Sequence, residues 1–162
     1  MIHKLTVPIS DEAISALHVG DQVEISGVIF TARDAAHKYM VEQFIKTDGN
    51  PPETEMALYE LLQEKLDGGV IYHCGPVVAK EAGRWSFVAA GPTTSIREEV
   101  YQDLVIEHFN LKAVIGKGGM GPRTLAACEQ FKAVYLHAVG GAGTLIAERV
   151  VEVEDVHKLK EF

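Results

Sequence analysis

The chain has 162 residues, of which 47% are hydrophobic and 23% are charged. These proportions are typical of a globular protein with a substantial core, and the apolar content excludes an intrinsically disordered chain. The 15 basic and 23 acidic residues give a net charge of −8, which argues against nucleic acid as a partner because nucleic-acid-binding proteins present a basic surface.

The sequence also argues against a membrane protein, a secreted protein and a metal-binding protein. The longest stretch without a charged residue, 133–147, is too short to span a bilayer and is interrupted by glycines. No apolar segment follows Met1, so we expect no secretion signal and a cytoplasmic location. Cys74 and Cys128 are too few for a disulfide framework and lack the spacing of a metal site, so we expect two buried free thiols and no metal held by this chain.

Strands and helices alternate from the start of the chain. Apolar residues at every second position predict a strand over 21–30, and helical periodicity predicts a helix that begins at Thr31. Thr31 and Asp34 have the spacing of a capping box, which supports that start. A second amphipathic helix is predicted over Pro51–Asp67, after a proline-rich loop.

The same alternation continues in the second half. Short strands are predicted over 70–74 and 85–90, and a helix begins at Ser95, which has Glu98 in the capping-box position. The remaining predicted elements are a strand over 113–115, a helix that begins at Pro122, a strand over 133–138, a short helix near Leu145 and a last strand over 150–153. This pattern predicts an α/β fold with a partly parallel sheet, in one domain over residues 1–162.

Three cations are predicted to lie at strand-to-helix junctions. Arg33 and Arg97 fall in the first turn of a predicted helix, and Lys117 lies in a glycine loop before another. A cation at a helix N-terminus opposes the helix dipole, so an anionic ligand that compensates all three is one explanation. The alternative is that each is a solvated surface residue.

Two further side chains are candidates for proton transfer. His37 lies four residues after Arg33, on the same predicted helical face, and imidazole titrates near neutral pH. Thr93 lies in a Gly-Pro-Thr-Thr turn, where its hydroxyl could face a ligand. Either residue could instead have a structural role, His37 in the core and Thr93 in the hydrogen bonds of the turn.

The glycine loop over 116–121 matches the GxGxxG pattern of dinucleotide-binding proteins. In those proteins an acidic residue ends the next strand, but the sequence over 134–141 contains none. The loop also lacks the Gly-Lys-Ser or Gly-Lys-Thr of a Walker A motif. Nucleotide binding is therefore a weak alternative.

Five segments together resemble one known family, the β subunit or C-terminal domain of the iron–sulfur class of fumarate hydratases and L(+)-tartrate dehydratases. The most specific of them are Gly-Pro-Thr-Thr-x-x-Arg and Arg-Asp-x-x-His, and the resemblance covers roughly residues 5 to 157. In chain order the segments are Val19-Gly20-Asp21, Thr31 to His37, Tyr72 to Pro76, Ala90 to Arg97, and Gly116 to Gly121.

The resemblance implies a swivelling, three-layer β/β/α domain that works as part of a hydro-lyase acting on a four-carbon dicarboxylate. It implies that Arg33, Arg97 and Lys117 bind substrate carboxylates, and that Thr93 and His37 take part in catalysis. It also implies a [4Fe–4S] cluster held by three cysteines of a partner α subunit in a hetero-oligomer, which agrees with the presence of only two cysteines in this chain.

Several alternatives remain open within and beyond this resemblance. Hydration of fumarate to malate is the first expectation and tartrate dehydration the second, because both branches share these motifs. A non-catalytic domain that binds a small anion is an alternative from another class. The predicted helix over Pro51–Asp67 is an addition relative to many relatives, and the sequence stops at Phe162, where relatives usually continue with another strand.

Overall fold

The fold is an α/β arrangement of eight strands and six α-helices, described for all residues 1–162 by a computed structural model. The strands are β1 Ile2–Thr6, β2 Gln22–Ser26, β3 Phe30–Thr31, β4 Val70–Tyr72, β5 Val77–Glu81, β6 Arg84–Ala89, β7 Ala113–Gly116 and β8 Val134–His137. The helices are α1 Asp11–Ser15, α2 Asp34–Met40, α3 Met56–Leu66, α4 Glu99–Phe109, α5 Pro122–Phe131 and α6 Gly143–Ala147.

A four-stranded sheet with the order β3-β4-β7-β8 forms the centre of the fold, and all its neighbouring strands are parallel. Side chains alternate across it, because successive residues of a strand point to opposite faces. Ile71 and Val114, which are paired in register, contribute to the cluster that packs under the helices. Val70 and Ala113, one position earlier, belong to a second cluster on the opposite face.

That opposite face is covered by the parallel pair β1-β2. Leu5 of β1 is buried against Val70 and Ala113, and Val23 and Ile25 of β2 pack around the same cluster. The fold therefore has three layers, a small sheet, a central sheet and a helical layer, which confirms the predicted α/β architecture with a parallel sheet. The hairpin β5-β6 stands apart as an antiparallel pair.

Most predicted elements are present, and four predictions are wrong. Residues 150–153 form no strand, and Val151 is fully exposed. The strand predicted over 21–30 is interrupted at Gly27, whose φ of +121° ends β2 and turns the chain toward β3. The two predicted capping boxes are absent: Thr31 ends β3, and Ser95 begins a 3₁₀ turn over Ser95–Glu98 that leads into α4.

Candidate functional site

The carboxyl ends of the parallel strands meet at one edge of the central sheet. Arg33 follows β3, His73 follows β4, and Lys117 follows β7. Ligands of parallel α/β proteins are commonly bound at this edge, because the loops that follow the strands converge there. The topology therefore brings two of the three predicted carboxylate-binding cations to the same edge.

The segment that contains Thr93 and Arg97 is bound to this edge by backbone hydrogen bonds. The Thr93 N–H donates to the His73 carbonyl at 2.8 Å, and the Ser95 N–H donates to the Lys117 carbonyl at 3.0 Å. Thr94 also forms an isolated parallel bridge with Lys117. This segment consequently lies between the ends of β4 and β7, with Thr94 beside Lys117 and Arg97 two residues beyond the Ser95 hydrogen bond.

Arg33 is the N-cap residue of α2, and its side chain makes no capping hydrogen bond. It is exposed and crosses Gly75 so closely that a Cβ at position 75 would lie 2.6 Å from the Arg33 Cδ atom. Arg97 is exposed in the 3₁₀ turn, and Lys117 is half-buried. These three cations form no ion pair within the chain. They are therefore free to meet an external anion.

Glu98 is a buried carboxyl group near Arg33 and Arg97 that sequence reasoning missed. It is only 1% exposed, and its Oε2 atom has no hydrogen-bond partner. Burial raises the pKa of Glu98 to about 7. Asp34 raises that pKa further, whereas the residue's own backbone N–H, Arg33 and Arg97 lower it. The charges of Arg33 and Arg97 thus both act on this carboxyl group.

His37 does not lie at the open edge. Its ring is completely buried, with Nδ1 2.8 Å from the Arg33 carbonyl oxygen and Nε2 2.9 Å from the side-chain amide of Gln102. Burial lowers the pKa of His37, against the opposing effect of those hydrogen bonds. The catalytic role of His37 therefore stays a prediction, and its contacts favour a structural role behind Arg33. The catalytic role of Thr93, which is half-buried at the edge, also stays a prediction.

The junction that leads into α5 differs from the sequence-based interpretation. Pro122 is the first residue of α5, as predicted. However, the carboxylate of Glu99 occupies the helix N-terminus: it accepts hydrogen bonds from the N–H groups of Gly121 and Arg123, both at 2.9 Å, and from the Thr124 hydroxyl at 2.6 Å. The α5 N-terminus is thus closed from within, so Lys117 contributes a charge to the edge without free helix N–H groups beside it.

The two thiols are not a ligand set. Cys74 is buried after β4 and Cys128 is half-buried on α5, and both are free. Burial raises the pKa of each thiol to about 11, so both stay protonated at neutral pH. No three His, Cys, Asp or Glu side chains lie close enough together to hold a metal ion. The residues of this chain therefore do not fit an iron–sulfur cluster.

Comparisons with known proteins give the family. The family described as "Fumarase C-terminus" matches residues 2–162. This chain belongs to the fumarase C-terminus family. The predicted resemblance is thereby confirmed for nearly the whole chain.

Named relatives fall in both predicted branches. A putative class I fumarate hydratase of Geobacillus stearothermophilus is 45% identical over 96% of this chain and 27% of its own length. The β subunit of L(+)-tartrate dehydratase of Escherichia coli is 37% identical over 94% of this chain and 69% of its own length. A putative β subunit of the same enzyme from Methanocaldococcus jannaschii is 37% identical over 92% of this chain and 70% of its own length. The chain thus spans about a quarter of the first relative and about two thirds of the others.

The structure holds no helix that is long and apolar enough to cross a membrane.

Proposed function

We propose that this chain supplies the carboxylate-binding side chains of a hydro-lyase that interconverts fumarate and malate. The observation that carries the proposal is the convergence of three unpaired cations, Arg33, Arg97 and Lys117, at one edge of the sheet. A dicarboxylate carries two negative charges, and the planar guanidinium of arginine matches a carboxylate in a bidentate contact. The net charge of −8 opposes anion binding, so the attraction has to come from these local cations.

The rest of the active site would come from a partner. The family resemblance implies a [4Fe–4S] cluster, and the two thiols of this chain do not fit it, so an α subunit would hold the cluster in a hetero-oligomer. We propose that this domain closes over the α subunit with its carboxyl edge, so that Thr93 faces the substrate as a candidate proton-transfer group. An unactivated threonine hydroxyl is a weak base, so we assign Thr93 the role of orienting the substrate first, and proton transfer only where another group activates it.

L(+)-tartrate dehydration is the second candidate reaction. It is supported by the relatives named as tartrate dehydratase β subunits, which this chain matches over about two thirds of their length. Both substrates are four-carbon dicarboxylates, so the same three cations serve either reaction.

The test is anaerobic co-expression with the candidate α subunit, followed by assays with fumarate, malate and tartrate. We expect turnover by the complex, and neither iron nor turnover in the isolated chain. A complete cluster with activity in the isolated chain would contradict the two-subunit proposal. Absence of turnover with all three substrates in an iron-loaded complex would contradict the reaction.

A conservative substitution tests the role of the arginines. Arg97→Lys keeps the charge but removes the planar guanidinium that can contact both oxygens of a carboxylate. We therefore expect kcat/KM of the complex to fall, by an amount equivalent to a loss of about 1–3 kcal/mol of transition-state stabilisation. Arg84→Lys is the matched control, because Arg84 is exposed in the β5-β6 hairpin, in register with Glu81. Equal tolerance at both positions would show that Arg97 is an ordinary surface residue.

A further inference from the structure

A continuous chain of hydrogen-bonded polar side chains, most of them buried, lies beneath the carboxyl edge. On one side, the Gln102 amide of α4 bridges two imidazoles, 2.9 Å from His37 Nε2 and 2.7 Å from His73 Nε2. His37 continues the chain to the Arg33 carbonyl oxygen at 2.8 Å. The side chains of Gln102, His37 and His73 are all 0% exposed. This half connects the middle of α4 to the backbone of Arg33.

The other half runs from His73 to the glycine loop. His73 Nδ1 is 2.8 Å from Ser95 Oγ, and the Tyr135 hydroxyl donates to that same oxygen at 3.0 Å. The Gly119 N–H in turn donates to the Tyr135 hydroxyl at 3.2 Å. The full chain therefore connects the loop after β3 with the loop after β7, which are the loops that carry Arg33 and Lys117.

The chemistry of His37 fixes the direction of these hydrogen bonds. A backbone carbonyl only accepts, so the proton of a neutral His37 is on Nδ1 and its Nε2 must accept. Burial lowers the pKa of His37 and lowers that of His73 to about 4, so both rings are neutral at pH 7. Neutral His37 thus requires a donor from Gln102, and the two amide hydrogens of Gln102 match the Nε2 atoms of the two rings.

This direction requires the Gln102 amide to be rotated by 180° from the arrangement in which its oxygen faces both rings. In that other arrangement the Gln102 nitrogen is buried without a partner, and His37 has to be a buried cation. With the amide nitrogen toward the rings, His73 donates from Nδ1 to Ser95. Ser95 then accepts from both His73 and Tyr135, which uses its two lone pairs.

We propose that Gln102 and His73 are positioning residues that hold the Arg33 junction and the Lys117 loop at a fixed separation. The inference rests on the proposed function, because that separation matters only if both cations bind one dicarboxylate. Buried hydrogen-bonded networks are rigid, since an unpaired member in a low-dielectric interior is costly. Gly116 contributes to the fit: the Ser95 side chain occupies the space that a Cβ at position 116 would fill.

The first test is independent of catalysis and uses the full chain labelled with ¹⁵N. We expect the nitrogen shifts of His37 and His73 to show the Nδ1-protonated tautomer of both rings at pH 7. In Gln102→Met, which keeps the length of the side chain but cannot donate, we expect amide hydrogen exchange to accelerate about tenfold at both Gly119 and His37, whose backbone N–H donates to the Arg33 carbonyl. Protonation of either ring at Nε2, or unchanged exchange at both ends, would overturn the proposal.

Ile106→Val is the matched control for a loss of stability. Ile106 is fully buried on the same helix as Gln102 and belongs to the hydrophobic cluster instead of the polar chain. We expect this variant to lower Tm. The exchange rates at His37 and Gly119, relative to those of the other amides of the protein, should stay as in wild type. If Ile106→Val accelerates exchange at those two sites as much as Gln102→Met does, the polar chain has no specific positioning role.

The second test uses the complex with the α subunit. We expect Gln102→Met to raise the KM for the dicarboxylate about tenfold with a smaller change in kcat, because the cations are misplaced while the reacting groups are intact. Ile106→Val should leave KM unchanged. An active complex with an unchanged KM in Gln102→Met would overturn the positioning role. An inactive wild-type complex would instead contradict the proposed function, while the exchange measurement would still decide whether the two loops are coupled.

Discussion

The N-termini of α5 and α2 lie at the same edge of the sheet, but they differ in the side chain that lies beside their backbone N–H groups. At α5, the Glu99 carboxylate accepts hydrogen bonds from the helix N–H groups and from Thr124. At α2, the N-cap residue is Arg33, which offers a cation and no capping oxygen. A helix N-terminus attracts anions in both cases. The α5 N-terminus is hydrogen-bonded to a carboxylate from another helix, whereas α2 has only Asp34 of its own first turn nearby and no side chain that caps it.

The two adjacent glutamates, Glu98 and Glu99, differ in the same way in their hydrogen-bond partners and in their pKa values. Glu99 reaches α5, and although burial alone would raise its pKa, the hydrogen bonds from Thr124, Gly121 and Arg123 lower it overall. Glu98 lies near Arg33 and Arg97 with an unpartnered oxygen, and burial raises its pKa to about 7. One turn of the chain therefore contains a carboxylate that stabilises the fold and a carboxyl group that does not.

The largest effect is expected from removing the internal anion. Glu99→Gln replaces one of the two accepting carboxylate oxygens by an NH2 group, which cannot accept a hydrogen bond from the N–H groups of α5. We expect a loss of about 2–3 kcal/mol in the free energy of unfolding, the range for hydrogen bonds to a charged group and for a lost helix cap. Urea denaturation at pH 7 measures it.

Glu107→Gln is the control for this substitution, because Glu107 is exposed near the other end of α4. We expect its free energy of unfolding to stay within about 0.5 kcal/mol of wild type. If Glu99→Gln costs no more than this control, α5 does not depend on Glu99, and the contrast between the two N-termini fails.

This contrast shows where sequence patterns predict the structure and where they do not. Five elements lie close to their predicted positions, because the spacing of apolar residues shows which face of a strand or helix is buried. They are residues 56–66, 70–72, 84–89, 113–116 and 122–131. The capping predictions failed because capping depends on partners distant in the chain. Ser95 is bound by His73 and Tyr135, 22 and 40 residues away, and Glu99 caps a helix that begins 23 residues later.

The candidate site could be predicted only in part for the same reason. Arg33, Arg97 and Lys117 were predicted because each stands at a junction that the sequence marks. The parallel topology brings the junctions of Arg33 and Lys117 to one edge, and backbone hydrogen bonds hold the segment of Arg97 against it. Gln102 and His73 carry no local signal, since a lone polar residue in an apolar stretch is recognised as buried only when its partners are known. Their pairing with His37 emerges only from the packing of α4 against β4 and α2.

A smaller effect, with a defined pH dependence, is expected for Glu98. Its pKa is raised in the folded protein, so between about pH 4.5 and 7 the folded state binds more protons than the unfolded state, and the free energy of unfolding falls as the pH rises. Glu98→Gln abolishes this loss. We expect the free energy of unfolding of the variant, relative to that of wild type, to be higher at pH 8 than at pH 5 by at least about 1 kcal/mol, since one pKa unit corresponds to about 1.4 kcal/mol.

The measurement is denaturation of both proteins at the two pH values, and only the difference between them matters, because any packing cost of the amide is independent of pH. Glu99→Gln serves as the opposite control. The pKa of Glu99 is lowered in the folded protein, so its contribution is present above its unfolded pKa and is lost as the pH falls. A pH-independent effect of Glu98→Gln would show that Glu98 is ionised throughout, and the contrast between Glu98 and Glu99 would fail.

The smallest effect is expected from giving α2 the cap that it lacks. Arg33→Asn places a capping side chain at a residue whose backbone is already extended, with φ −102° and ψ −170°. We expect the isolated chain to gain about 0.5–1 kcal/mol in stability, because an asparagine oxygen accepts a hydrogen bond from a free N–H of the first turn and the cation no longer opposes the helix dipole. The same substitution should weaken the binding of succinate or sulfate, measured by the amide shifts of residues 33–36. Such a gain in stability with a loss of anion binding would show that Arg33 is kept at the N-cap position for a ligand and at a cost to the helix. A variant that is less stable but binds the anion as well as wild type would contradict this account, because Arg33 would then serve the fold through its packing over Gly75.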